Sequence, residues 1–75
     1  MERYSNNNGD SGVSGYLIGS DFIQVEFSTG SIYEYTHGSA GKANIETMIN
    51  LAISGSGLNG FINRYVKNRY SRKIR

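Results

Sequence analysis

The residues best equipped for chemistry crowd into the last fifteen positions, "FINRYVKNRYSRKIR". Arg64, Lys67, Arg69, Arg72, Lys73 and Arg75 occur there without one acid, so residues 64–75 carry +6. Residues 1–63 hold two basic and six acidic side chains, a charge of −4, so the net +2 hides a basic end on a mildly acidic body. Such a split points to an anionic partner or to association of one copy's body with another's basic end. Guanidinium and ammonium groups hold phosphates, and interleaved aromatics give a base something to stack on. Here the interleaved rings are Tyr65 and Tyr70, and Asn59 and Asn63 on adjoining turns offer amide edges that can read a base. Favourable placement of cations near a helix C-terminus accounts for two or three of them but not for six.

Catalysis finds little to work with. There is no cysteine and a single histidine, His37, in a glycine-rich stretch. The acids are scattered singly, with no spacing that pairs two carboxylates on one face, and no cluster has the makeup of a metal site. The expectation is a protein that is not an enzyme and that needs no cofactor. The "GSGLNG" segment at 55–60 precedes a helix, so its N–H groups have two readings: a phosphate cradle or a plain C-cap and turn. It lacks the Lys-Ser/Thr of a phosphate loop.

Elements must position these groups. Seventy-five residues make one small domain. A core of that size is marginal alone, so a homo-oligomer is the expected state. The start, "MERYSNNNGDSG", has no apolar run of a signal peptide, and no stretch is long enough to span a membrane, which suggests a cytoplasmic protein. Residues 1–12 are rich in Asn, Ser and Gly and read as a flexible arm. Residues 13–75 form the domain.

"VSGYLIGS" and "FIQVEFS" read as strands, the second with Ile23, Val25 and Phe27 on one face and Gln24 and Glu26 on the other. "SIYEYT" is a third. A three-residue loop, Ser28-Thr29-Gly30 with Gly30 left-handed, pairs Val25 with Tyr33 and Ile23 with Tyr35. It puts both tyrosines on the apolar face and turns Glu34 outward. Tyr33 and Tyr35 are then core residues with hydroxyls at the rim, or a stacking platform if a groove opens beside them. A helix starting at Ser39 or Asn44 carries Ile45, Met48, Ile49, Ala52 and Ile53, has Glu46 in its first turn, and stops at "SGSG". A second helix, with Asn59 as a possible cap, carries Leu58, Phe61, Ile62, Tyr65 and Val66, and beyond Val66 its stripe turns basic before "SRKIR" frays. The fold class is α+β: a three-stranded antiparallel sheet followed by two helices packed on one face.

The segments "VEFSTGSIYEY" (25–35), "SGSGLNGFIN" (54–63) and "YVKNRY" (65–70) resemble the KTSC domain family. This family is named for the C-terminal extension of some lysyl-tRNA synthetases and also occurs as small stand-alone bacterial and phage proteins. The resemblance covers residues 13–75. Where the family usually has Val-Pro after the Tyr-x-Tyr, this chain reads "THGSAGKAN". The resemblance implies no activity. It adds a suggestion of RNA binding, by association with a synthetase. Two functions follow from residues and resemblance together. One is a non-enzymatic binder of a nucleotide-type anion, either an RNA segment or a small or cyclic nucleotide held between subunits. The other is a protein–protein module or inhibitor whose basic helix docks on an acidic partner. The ligand-contacting residues are expected among Arg64, Lys67, Arg69, Tyr65, Tyr70, Asn59, Asn63, Tyr33, Tyr35, Arg72 and Lys73.

Overall fold

The computed structural model describes residues 1–7 and 12–75. Strands β1 (Glu2–Arg3), β2 (Val13–Ile18), β3 (Phe22–Phe27) and β4 (Ile32–Thr36) lead into α1 (His37–Ala40) and α2 (Lys42–Ser54). Helix α3 (Leu58–Phe61) runs on into a π turn over Ile62–Val66, and β5 (Arg72–Lys73) ends the order. The chain is α+β, but among the described residues its antiparallel sheet has five strands in the order β1-β2-β3-β4-β5 rather than three.

The β3–β4 hairpin has the expected register, with Val25 opposite Tyr33 and Ile23 opposite Tyr35. Its loop is Ser28-Thr29-Gly30: the Phe27 N–H donates to the Ser31 carbonyl (2.8 Å), the Gly30 N–H to that of Phe27 (2.8 Å), and Gly30 has φ +96°. Only glycine takes that conformation without strain, so the loop length and with it the inward face are fixed locally. Ile23, Val25 and Tyr35 are buried from the sheet side. Ile45, Met48 and Ala52 of α2 and Leu58, Ile62 and Val66 from the next helix close the core over them. Leu58, Ile62 and Val66 lie four apart, and a π turn, which holds more residues per turn than 3.6, keeps that spacing nearer one line.

Several expectations are corrected. Residues 1–7 are not a free arm: Glu2 and Arg3 pair with Tyr16 and Gly15, and Tyr4 is 3% exposed. Residues 8–11 of the expected arm lie outside the described residues. The loop after β4 starts a short helix instead, through a reciprocal cap in which the Ser39 N–H donates to Thr36 Oγ1 (3.1 Å) and the Thr36 N–H to Ser39 Oγ (3.0 Å). Helix α2 begins at Lys42, which leaves Glu46 beyond its first turn. Ile53 is 64% exposed and Tyr65 is 55% exposed, so neither belongs to the buried stripe. Asn59 is not a cap; Gly57 occupies that position without a side-chain bond.

The largest correction concerns the basic end. It does not continue as a helix and does not fray. The Ser71 N–H donates to the Glu34 carbonyl (2.7 Å), the Ile74 N–H to that of Ile32 (2.7 Å), and the Ile32 N–H to that of Arg75 (3.0 Å). Without an acid in residues 64–75, a longer helix would have no cross-turn ion pair and would stack like charges one turn apart. The open edge of β4 offers backbone partners and the Glu34 carboxylate, and the neighbouring β3 offers Glu26. Arg72 meets Glu34 at 3.2 Å and Arg75 meets Glu26 at 2.6 Å. No helix among the described residues is long and apolar enough to cross a membrane.

Candidate functional site: an aromatic groove beside the helix end

Two distant parts of the chain meet along one groove of about 290 Å³. Phe27, Tyr33 and Tyr35 come from the inner face of the hairpin, Ile62, Asn63, Lys67 and Asn68 from the π turn and its end, and Tyr70 from the turn before β5. The strand period places the hairpin rings: residues 33 and 35 project to one side, and the register sets that side inward. The pairing of β5 with β4 then pulls Tyr70 onto them.

The rings hold one another edge to face. The Tyr33 ring lies 4.7 Å from Tyr70 and 5.8 Å from Phe27, and Tyr35 lies 6.5 Å from Tyr70. Each such ring pair contributes about 0.5–1.5 kcal/mol beyond the area it buries. Tyr33 is half-buried, while Tyr35 is 2% exposed at the groove floor. Burial, with the phenols of Tyr33 and Tyr70 nearby, pushes the Tyr35 pKa up to about 12. Its hydroxyl therefore stays neutral and able to donate at any ordinary pH.

The electrostatics of the groove are positive. Lys67 lines it, and Lys73 stands opposite Tyr33 on β5 with its Nζ 5.7 Å from the ring centroid. Aromatic walls alone would suit a quaternary ammonium ion as well as a base, but two ammonium groups beside them select against a cation. Rings, amides and cations together suit a flat heterocycle that carries negative charge.

Of the residues singled out from sequence, Tyr33, Tyr35, Tyr70, Asn63 and Lys67 converge here, with Lys73 at the margin. Arg72 does not join them: its guanidinium lies against Glu34, whose carboxylate also accepts from Gln24 Nε2 (2.9 Å). That Gln24 bond, followed by the Arg72 guanidinium, holds the Glu34 pKa below its ordinary value. Tyr65 packs on Phe61 (4.8 Å between centroids), and Arg64 and Arg69 are exposed outside the groove lining. Asn59 lies beside Gly12, outside the lining too. The phosphate-cradle reading of "GSGLNG" is weakened because the Leu58 N–H already donates to the Tyr4 hydroxyl (3.2 Å).

Phe27, Ile62 and Asn68 line the groove without having been singled out as ligand contacts. Phe27 was legible, since its strand face and the loop length put it beside Tyr33. Asn68 was not: on a regular helix it points well away from Asn63, and only the π turn brings the two to one wall. Among the described residues no three His, Asp or Glu side chains group as a metal site would require. Compared with known proteins, the chain matches no family model, no curated protein and no solved structure.

Proposed function

We propose that this protein is a non-enzymatic binder of a nucleotide-type anion. The observation that carries the reading is the convergence of Tyr33, Tyr35, Tyr70, Asn63 and Lys67 on one groove from segments nearly thirty or more positions apart in the chain. The rings offer an apolar wall, the amides a polar edge, and Lys67 with Lys73 a place for phosphate. The resemblance to the KTSC pattern fits a nucleotide partner and adds nothing about which one. The groove is open on one side, and a second copy of the chain covering that side would sequester a small or cyclic nucleotide between subunits. An RNA segment would instead run from the groove along Arg64 and Arg69. The exposed Tyr65, Arg64 and Arg69 outside the groove favour a second reading, in which this surface docks on an acidic protein.

The test is native mass spectrometry of the gently purified protein, with its ultraviolet absorbance. The chain has no tryptophan, so excess absorbance near the nucleotide band stands out. A discrete added mass on an oligomer supports the small ligand. A nuclease-sensitive, heterogeneous mass supports RNA, and affinity should then fall steeply with salt, about 0.7 log units per phosphate per tenfold salt. A clean apo mass, with no nucleotide binding on titration, refutes the proposal and leaves the acidic-protein reading. Lys67→Ala is expected to weaken nucleotide binding at least fivefold with an unchanged melting temperature.

A further inference from the structure

The groove's helical wall is built from Ile62, Asn63, Lys67 and Asn68, which are two pairs spaced by five. On an α-helix, residues five apart diverge by about 140°, so neither pair would share a wall. The turn between them is π-helical over Ile62–Val66. Its i→i+5 bonding brings residues five apart nearly into line, and such turns recur where helices carry function. Ile62 and Asn63 lie in this π turn and Lys67 and Asn68 in the turn that follows it, and all four line the groove.

The two amides are also unengaged. Two asparagines of the fold spend theirs on backbone: Asn7 Nδ2 donates to the Ser54 carbonyl (2.9 Å) and Asn44 Nδ2 to that of Ala40 (2.8 Å). Asn63 and Asn68 make no side-chain hydrogen bond to a described residue, and both face a groove walled by rings. An asparagine amide presents a donor beside an acceptor. Its complement is an acceptor beside a donor, which every nucleobase presents on an edge, so which base pairs with it depends on how the two amides are held.

We infer that Asn63 and Asn68, on the groove's helical wall, read the hydrogen-bonding edge of a single base that lies against Tyr33 and Tyr70, with Lys67 at its phosphate. This rests on the nucleotide reading above and adds to it the residues that choose the base. The groove, at about 290 Å³, sits at the lower end of ligand pockets. That is room for one base and its sugar, not for a stacked run.

The experiment titrates the full chain with AMP, GMP, CMP and UMP by calorimetry and by amide chemical shifts. It uses the wild type, Lys67→Ala, and Asn63→Leu with Asn68→Leu singly and together. Leucine keeps the side-chain shape and removes the hydrogen bonds without adding charge. The wild type should prefer one of the four over the others by about tenfold, the scale of one bidentate base contact. The double leucine variant should lose that preference, while Lys67→Ala should weaken all four nucleotides and keep it. Binding of all four within twofold of one another, or a preference that survives the double variant, overturns the amide reading and leaves the nucleotide binder standing. If none of the four binds and no nucleotide copurifies, both readings fall.

Discussion

Tyr4→Phe removes one oxygen atom and tests whether the first residues belong to the fold. The Tyr4 hydroxyl accepts the Leu58 N–H at 3.2 Å, and both residues are buried, at 3% and 0% exposure. Leu58 opens a helix whose cap, Gly57, supplies no side-chain bond, so the phenol does the work of a cap from 54 positions away. Phenylalanine fills the same space and leaves the N–H dry and unpartnered. A buried donor left that way costs about 1–3 kcal/mol, and loss of a cap about 0.5–2. The bond is on the long side, so about 1 kcal/mol is expected, which lowers the melting temperature of a domain this size by about 4–8 °C. Thermal unfolding followed by circular dichroism, with a urea titration to check that the m-value is unchanged, measures it. A drop below about 1 °C would refute the reasoning and return residues 1–7 to the status of a loose arm.

Three more expectations follow from the packing and the ion pairs. Ile45→Ala, at a fully buried site, should cost about 2–5 kcal/mol, and Ile53→Ala, at 64% exposure, less than about 0.5, both read from urea midpoints; equal costs would mean that the wrong face of α2 has been assigned to the core. Gly55→Ala should cost about 1–3 kcal/mol, since Gly55 has φ +79° and a Cβ there would come 2.5 Å from that of Ser5. Gly60→Ala, in a helix with nothing near, should gain about 0.5–1 on the same thermal assay. Glu34 has a lowered native pKa, caused first by Gln24 and then by Arg72, so its stabilising contribution is present in full above the ordinary carboxylate value and is lost as pH falls through the native one. Glu34→Gln should therefore lower the melting temperature at neutral pH and narrow its fall on acidification; parallel pH curves for the two proteins would contradict this.

How much of this was legible from residues alone depends on how local the cause is. The β3–β4 register follows from one loop and its glycine, and the period-two pattern of residues 23–27 states which side is inward. The end of α2 at Gly55 was equally local. The two outer strands were not readable, because neither Glu2-Arg3 nor Arg72-Lys73 carries apolar alternation; both are drawn in by the unfilled edges of their neighbours. A run of cations with helical spacing looks like a helix until an open strand edge, with Glu34 on it and Glu26 on the next strand, competes for it. The same holds for the groove. Its tyrosines announced themselves, whereas Asn68 joined through a change of helical pitch that no pattern of residue types announces.

Strand order equal to chain order has a kinetic consequence. The pairings of β2, β3 and β4 are hairpins that close short loops, the kind of contact that forms early and fast. The β4–β5 pairing closes over the whole helical half of the chain: Arg72 and Glu34 are 38 positions apart. It has two paired residues and lies at an exposed edge, so it zips last and is the first part to open in native-state fluctuations. Amides of Ser71 and Ile74 should exchange with solvent hydrogen well before those of Val25 or Tyr35. Tyr70 and Lys73 travel with that segment, so the groove has one rigid wall and one that comes and goes. Its occupant would be gripped by a strand that must first let it in.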